Sequence, residues 1–316
     1  MKLQTQIPLH PQPYNPINYN SKILLIGSCF VENIGNKLAY FKFQNLLNPF
    51  GILFHPLAIE TLITNAINEK AYVKEDLFFL NEQWHSYDAH SRLSHESEDE
   101  LLNTLNRGIE STHQSLKNST HIIITLGTSW VYRHVATDAI VANCHKVPQK
   151  QFAKELLSVD EIRESLLAII SLIRSVNTKA SVIFTVSPVR HIKDGFIENS
   201  QSKAHLISAI LNTVDPRNEV YYFPSYEIMM DELRDYRFYD EDLLHPNKMA
   251  VNYIWEKFQE VWISSETYKT MQEVDDIQKG LLHRPFNANS ESFQKFQQNL
   301  ELKMKALQSQ FPQILF

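Results

Sequence analysis

The chain has 316 residues, of which 43% are apolar and 21% charged, and its formal net charge is −6. This composition is typical of a globular protein with one large domain or two ordinary ones, and it argues against nucleic acid and against a membrane as partners. Two cysteines, Cys29 and Cys144, are too few for a disulfide framework or a zinc ribbon. The sequence shows no apolar core of signal-peptide length and no apolar run long enough to cross a membrane. We therefore expect a cytoplasmic protein, with export from a longer precursor left open.

Apolar runs of strand type alternate with helical patterns along most of the chain. In chain order the predicted strands are 22–27, 41–47, 121–127, 180–186 and 220–223, and the predicted helices are 31–40, 56–68, 97–117, 158–176, 200–213, 225–235 and 246–262. Residues 1–20 are predicted as an extended arm, and 71–95 and 131–157 as irregular, aromatic-rich excursions. Buried strands separated by helices indicate an α/β fold whose parallel sheet is covered on both faces.

The composition changes after residue 265, where Gln and Lys become frequent. We therefore predict an α/β domain over 1–265 and a helical appendage over 266–316 that packs on it or on a second subunit. A helix that simply completes the same domain is the other interpretation. The helix predicted over 290–312 is the candidate dimer element of a homodimer.

The first strand ends in Gly27-Ser28-Cys29, and a helical pattern follows at once. Ligands of parallel α/β sheets bind at the carboxyl ends of the strands, so a Ser on this turn is well placed as a nucleophile. Ser28 is our candidate. Cys29 is the alternative nucleophile, because a thiol is more nucleophilic at equal activation, although a small buried apolar residue is the plainer interpretation.

A second chemistry-bearing pattern is Asp242-x-x-His245-Pro246, directly before a predicted helix. A carboxylate three residues before a His can orient the imidazole, which then acts as the base of an acyl-transfer triad. A capping Asp with a packed His, or half of a metal site, would give the same pattern. No partner at metal-ligand spacing supports the metal site.

Together these motifs resemble the GSCFA family, within the SGNH (GDSL-type) hydrolases. Gly27-Ser28-Cys29-Phe30 is similar to the signature that names the family, whose fifth residue, Ala, is Val31 here. Further similar blocks follow in order: Asn48-Pro49-Phe50-Gly51, Thr125-Leu126-Gly127-Thr128-Ser129, Ser187-Pro188-Val189-Arg190-His191 and the Asp242–Pro246 pattern. The resemblance implies a three-layer α/β/α sandwich with a five-stranded parallel sheet in flavodoxin-like order.

The resemblance also implies site roles. Ser28 would be the nucleophile, with Asp242 and His245 completing the triad. The oxyanion hole would consist of the Ser28 and Gly51 backbone N–H groups and the side chain of Ser129. Two residues depart from the wider hydrolase pattern: Gly27 stands where an Asp usually precedes the nucleophile, and Ser129, or Thr128 in a shifted register, stands where an Asn amide is usual.

Four further residues are candidates for substrate binding. Asn143 and His145 lie in the second excursion, where polar loop residues are equally expected. Arg190 and His191 follow the fourth strand, where an Arg can bind a carboxylate or phosphate or form an ion pair with a neighbouring loop. Motifs for nucleotide cofactors, phosphate loops, zinc proteases and EF-hands do not occur, so we predict no cofactor and no metal.

The sequence therefore predicts a metal-independent serine hydrolase of the esterase type. Its expected substrate is a small O-acyl ester, with a carbohydrate ester suggested by fold analogy alone. An acyltransferase with the same triad is an alternative. A catalytically silent binding module that keeps the fold is another, because the usual Asp and Asn are missing.

Overall fold

A computed structural model describes residues 4–287 and 289–316 of the chain. Five parallel strands form the central sheet: β1 (Lys22–Gly27), β2 (Gln44–Leu47), β5 (His121–Leu126), β9 (Ser181–Val186) and β10 (Val220–Phe223). Their spatial order is β2-β1-β5-β9-β10, with β1 between β2 and β5. This is the flavodoxin-like order that the resemblance implied, and the chain reverses its direction of travel across the sheet at the β1–β5 boundary.

Nine helices accompany the sheet within the described residues. They are α1 (Cys29–Tyr40), α2 (Pro56–Ile67), α3 (Glu98–Asn118), α4 (Val159–Val176), α5 (Phe196–Leu211), α6 (Ser225–Glu227), α7 (Lys248–Trp262), α8 (Tyr268–Leu282) and α9 (Glu291–Gln310). None of them, within that part of the chain, combines the length and the apolar character that crossing a membrane requires.

Alternate residues along each strand face opposite sides of the sheet and build two separate cores. Leu24 and Ile26 of β1 pack with α2, α3, α4 and α5. Ile23 and Leu25 pack on the other side, with α1, α7 and α8. The predicted three-layer α/β/α sandwich is thereby confirmed.

The carboxyl-terminal helices join the second of these cores. Val274 and Ile277 of α8 and Leu307 of α9 are buried in the same cluster as Ile23 and Leu25. Tyr40 of α1 donates to Asp275 of α8 at 2.8 Å. These contacts show how 268–310 pack on the α/β core, while the boundary at residue 265 stays a prediction.

The two predicted irregular excursions contain β-structure, so that prediction was wrong. The first holds a hairpin of β3 (Phe78–Leu80) and β4 (Gln83–His85). Its two turn residues, Asn81 and Glu82, have positive φ, and a Glu there gives no turn signal in the sequence.

The second excursion forms a three-stranded antiparallel sheet. In it β6 (Trp130–His134) pairs with both β7 (Ile140–Val141) and β8 (Phe152–Leu156).

The predicted helix 225–235 is also wrong in detail, because α6 gives way after one turn to a π-helical stretch over Ile228–Glu232.

Candidate functional site

The turn between β1 and α1 lies at the carboxyl edge of the sheet, where the strand order reverses. A Cβ on Gly27 would stand 2.1 Å from the Thr125 carbonyl oxygen, and Gly27 has φ +143°, so only Gly lets β1 approach β5 this closely. Ser28 then donates its backbone N–H to the same Thr125 oxygen at 2.9 Å. Cys29 begins α1. The turn therefore offers a hydroxyl and a thiol at adjacent positions.

Ser28 and Cys29 differ in what surrounds them. Ser28 is fully buried, and its Oγ has no hydrogen-bond partner within residues 4–287 and 289–316. Cys29 is partly exposed. Burial raises the pKa of the Cys29 thiol, and the charge of Lys203 and the N–H groups at the start of α1 offset part of that effect. A thiol with a raised pKa needs a base to become a nucleophile.

The turn before α7 carries a histidine that is held by a carboxylate. His245 Nδ1 lies 2.6 Å from Asp242 Oδ2, while Oδ1 of the same carboxylate accepts the backbone N–H groups of Leu244 and His245 at 2.9 Å each. These bonds lower the pKa of Asp242 to about 2, with the two backbone donors as the largest causes. The carboxylate thus fixes the imidazole in the tautomer that carries hydrogen on Nδ1 and leaves Nε2 as an acceptor.

His245 Nε2 faces Cys29, with the Sγ atom 4.0 Å away. The structure therefore brings together the predicted Asp242–His245 pair and the alternative nucleophile of the β1–α1 turn. Ser28 Oγ is outside hydrogen-bond distance of His245. The predicted assignment of Ser28 as the nucleophile stays a prediction.

A buried polar cluster lies next to Ser28, around Gly127 at the end of β5. An added Cβ on Gly127 would be 3.1 Å from Ser28 Cβ and 3.2 Å from both His191 Nε2 and Phe54 Cδ1. His191 Nε2 is buried and, like Ser28 Oγ, finds no partner in the described part of the chain. Burial, with Lys203 and His245 nearby, lowers the pKa of His191 to about 3, so the ring is neutral at ordinary pH.

The sequence reasoning missed Lys203, which holds the carboxyl ends of two strands together. Its Nζ donates to the carbonyl oxygens of Gly127 and Ser187, at 2.7 Å each, and the residue is 1% exposed. Burial lowers its pKa to about 7. A signal was present, because Lys203 shares a helical face with the buried Leu206 and Ile210.

The other predicted oxyanion donors have acceptors inside the protein. Gly51 donates its N–H to the Asn48 carbonyl at 2.8 Å within a turn. Ser129 is fully buried, and its Oγ lies 3.2 Å from the Ser202 carbonyl, to which it donates. Their roles in an oxyanion hole stay predictions, and each would require breaking a bond seen here.

Three of the four predicted substrate-binding residues line one cavity of about 420 Å³: Asn143, His145 and His191. Aromatic side chains from β6 and β8 form much of its wall: Trp130, Tyr132 and Phe152. His145 is buried and bonded through Nε2 to the Ser86 carbonyl, at 2.7 Å. The fourth residue, Arg190, lies elsewhere, with a guanidinium nitrogen 3.8 Å from Met230 Sδ.

No group of three or more His, Cys, Asp or Glu side chains within the described ranges is arranged to hold a metal ion. Among the described residues His245 has one acidic partner, Asp242, and its second nitrogen faces Cys29 Sγ at 4.0 Å.

Comparison with known proteins adds the family. The model of the "GSCFA family" matches residues 22–258, and that of the "GSCFA domain protein, C-terminal domain" matches residues 274–316. Among solved structures the chain is similar to a carbohydrate esterase family 3 protein from Talaromyces cellulolyticus, at 8% identity and a TM-score of 0.36, covering 81% of this chain and 99% of that one. A search of curated proteins finds no match. The family match covers most of the chain, including the β1–α1 turn and the Asp242–His245 pair, and this protein therefore belongs to the GSCFA family.

Proposed function

We propose that this protein hydrolyses small acyl esters through a nucleophile on the β1–α1 turn, activated by the Asp242–His245 pair. The observation that carries the proposal is the alignment of three side chains. Asp242 holds His245 Nδ1 at 2.6 Å, and His245 Nε2 faces Cys29 Sγ at 4.0 Å. This is the nucleophile–base–orienter arrangement of acyl-transfer enzymes, with separations that tighten when substrate binds.

The geometry favours Cys29 as the nucleophile. Cys29 is a partly exposed residue whose sulfur faces His245 Nε2, whereas Ser28 Oγ is buried and outside hydrogen-bond distance of His245. Cys29 also begins α1, so the orphan N–H groups and the positive end of the helix dipole stabilise a developing thiolate. The charge of Lys203 acts in the same direction.

The reaction follows from these positions. As the thiol sulfur attacks the ester carbonyl carbon, the thiol proton passes to His245 Nε2 and the carbonyl π electrons move to oxygen. The tetrahedral intermediate collapses, the bond to the alkoxide breaks, and the imidazolium returns the proton to the leaving alcohol. His245 then takes a proton from water, which attacks the thioester, and the carboxylic acid leaves as the thiol regains its proton.

Ser28 as the nucleophile of the same reaction, the metal-independent serine hydrolase of the sequence analysis, is the second candidate. Its support is that Ser28 Oγ lies at the carboxyl end of β1 and has no hydrogen bond to a described residue that it would have to break before reacting. In this version the hydroxyl would have to move within reach of His245 Nε2 before attack.

The substrate class we propose is a small O-acyl ester, such as an acetyl group on a carbohydrate. Its support is the cavity of about 420 Å³ beside His191, whose lining includes the aromatic Trp130 and Tyr132 and the polar Asn143. Mixed aromatic and polar lining of this size is typical of sites for small molecules.

Hydrolysis of p-nitrophenyl acetate by the purified full chain tests the proposal. We expect measurable turnover that Cys29→Ala abolishes. Preincubation with iodoacetamide should abolish it too, in a Cys144→Ala background where Cys29 is the only thiol. A fluorophosphonate probe, which labels nucleophilic serines, tests whether Ser28 is the nucleophile instead.

If Ser28→Ala removes fluorophosphonate labelling and Cys29→Ala keeps full turnover, the nucleophile is Ser28 and not Cys29. Turnover indistinguishable from buffer, with circular dichroism showing a folded protein and with acetylated xylan and acetylated monosaccharides equally inert, would overturn the hydrolase proposal.

A further inference from the structure

We propose that Ser28 and His191 are the oxyanion donors of this site, with the Ser28 hydroxyl and the His191 Nε2–H group binding the substrate's carbonyl oxygen as it becomes negative. This inference rests on the proposed acyl-ester hydrolysis. It assigns Ser28 a role other than nucleophile and His191 a role in the reaction itself.

The first support is that both atoms are buried polar groups whose partner is missing. Ser28 Oγ and His191 Nε2 each expose less than 1 Å² and have no hydrogen-bond partner within the described residues. Buried polar groups are nearly always paired, and leaving one unpaired costs about 1–3 kcal/mol. Two such atoms beside one glycine indicate a binding position for a ligand that supplies the acceptor.

The second support is where the two atoms lie. Ser28 Cβ and His191 Nε2 are both within 3.2 Å of the position that a Cβ on Gly127 would take, so both residues lie against Gly127. Ser28 is also the residue directly before Cys29. In this proposal the oxygen that both residues bind belongs to the ester carbonyl whose carbon Cys29 attacks, as in an oxyanion hole.

The third support is that His191 is held in place as a neutral donor. Its ring stands edge-to-face on Phe54, with centroids 5.4 Å apart and an interplanar angle of 81°. Its backbone N–H donates to Asn199 Oδ1 at 2.9 Å. Because the pKa of His191 is lowered to about 3, chiefly by burial, the imidazole keeps one N–H at neutral pH, and the tautomer with hydrogen on Nε2 aims it at the position beside Ser28.

The donors that the family resemblance implied are already bonded inside the protein. The N–H groups of Ser28 and Gly51 go to the carbonyls of Thr125 and Asn48, and Ser129 Oγ donates to the Ser202 carbonyl. Ser28 Oγ and His191 Nε2 break no bond seen here when they take this role, and neighbouring side chains move to admit the substrate oxygen. This availability is why we assign the role to them.

The experiment compares two reactions of Cys29 that differ in the need for an oxyanion hole. Alkylation by iodoacetamide is a displacement at carbon in which no oxyanion forms. Addition to a trifluoromethyl ketone, and turnover of p-nitrophenyl acetate, both create a tetrahedral oxygen anion. The variants are Ser28→Ala, His191→Leu and His191→Gln, all in a Cys144→Ala background, with His134→Gln as a histidine control outside the site.

We expect Ser28→Ala and His191→Leu each to lower kcat by about 10²–10³-fold, the usual cost of one oxyanion donor, and to weaken trifluoromethyl ketone inhibition in parallel. The rate of Cys29 alkylation should stay within about twofold in both. His191→Gln, whose side-chain amide can still donate, should recover part of the loss, and His134→Gln should match the parent protein.

Unchanged kcat and unchanged ketone inhibition in Ser28→Ala and His191→Leu, with the parent protein active, would overturn the donor assignment and leave the hydrolase proposal standing. So would equal losses in alkylation and turnover, because these indicate a disturbed fold or thiol. A parent protein that is alkylated at Cys29 but inert to both ester and ketone would instead overturn the hydrolase proposal, and the donor assignment with it.

Discussion

Two groups of polar side chains lie near the β1–α1 turn, and they differ in how their hydrogen bonds are satisfied. On the exposed side, both oxygens of Asp242 are bonded, and His245 Nδ1 is fixed by one of them. On the buried side, Ser28 Oγ and His191 Nε2 have no partner within the described chain. The paired group is preorganised before substrate arrives, whereas the unpaired group costs stability until a substrate oxygen completes it.

The largest effect that this comparison predicts is at the exposed pair. His245→Ala should lower kcat for p-nitrophenyl acetate by about 10²–10⁴-fold, because the thiol, whose pKa is raised by burial, loses its base. Asp242→Asn should give a smaller loss, since the imidazole remains but is no longer held in its tautomer by a charge. Steady-state kinetics with thermal unfolding as a folding check measures both. Normal kcat in folded His245→Ala would remove the exposed pair from the mechanism.

Gly127→Ala should give the next largest effect, because the new methyl group would press on Ser28 Cβ and His191 Nε2 at 3.1 and 3.2 Å. We expect kcat to fall about 10²-fold through misplacement of these donors. The matched control is Gly280→Ala on α8, where the added Cβ would meet the Leu300 side chain at 2.7 Å, far along the chain from the site. If both variants keep parental kcat, the position beside Gly127 is not used in the reaction.

The sequence predicted the sheet well because each central strand is an almost unbroken apolar run between helical patterns. It also brought Asp242 and His245 together, since three residues of separation on one turn leave few other arrangements. It ranked Ser28 above Cys29 from the motif alone, whereas the contact that bears on this ranking joins Cys29 to a His more than 200 residues away.

The buried polar cluster and the second sheet were harder to predict for a related reason. Lys203 and His191 come together at the site only because β5 and β9 are paired. The second sheet depends on the pairing of β6 with β8 across a long connection, whose residues show no regular alternation of apolar and polar side chains. In each case the information lies in contacts between distant segments.

Two buried serines, one hydrogen-bonded through its hydroxyl and one not, allow the effect of that bond on the free energy of unfolding to be compared. Ser28 and Ser225 are both fully buried at the carboxyl edge of the sheet, but Ser225 Oγ is bonded to Thr185 and to the Val186 carbonyl, each at 2.7 Å. Ser225→Ala should therefore cost about 1–3 kcal/mol in the free energy of unfolding, whereas Ser28→Ala should be neutral or stabilising. Urea unfolding measures both. Equal losses would mean that Ser28 Oγ is bonded in solution.

The smallest predicted effect concerns a buried histidine whose nitrogens are both paired. His55 accepts the Ala58 N–H on Nδ1 and donates from Nε2 to the Val141 carbonyl, and burial lowers its pKa to about 4. Between the unfolded value near 6.5 and about 4, the unfolded chain binds a proton that the folded protein does not. Stability should thus fall as the pH drops through this window, by at most roughly 1.4 kcal/mol per pH unit from this residue.

His55→Asn, which can still cap α2, should flatten that pH dependence, and His134→Asn should not. Urea unfolding at pH 6.5, 5.5 and 4.5 measures it. An unchanged slope in His55→Asn would show that His55 is not the group that titrates.

The central claim, attack by Cys29, is tested most directly by locating the acyl group on the enzyme. The full chain is mixed with p-nitrophenyl acetate, quenched in acid during the first turnover, digested and analysed by mass spectrometry. The account predicts one acetyl group on Cys29, released by neutral hydroxylamine as a thioester is, absent in Cys29→Ala and still formed on Cys29, more slowly, in Ser28→Ala. An acetyl group on Ser28 that persists in Cys29→Ala would contradict it.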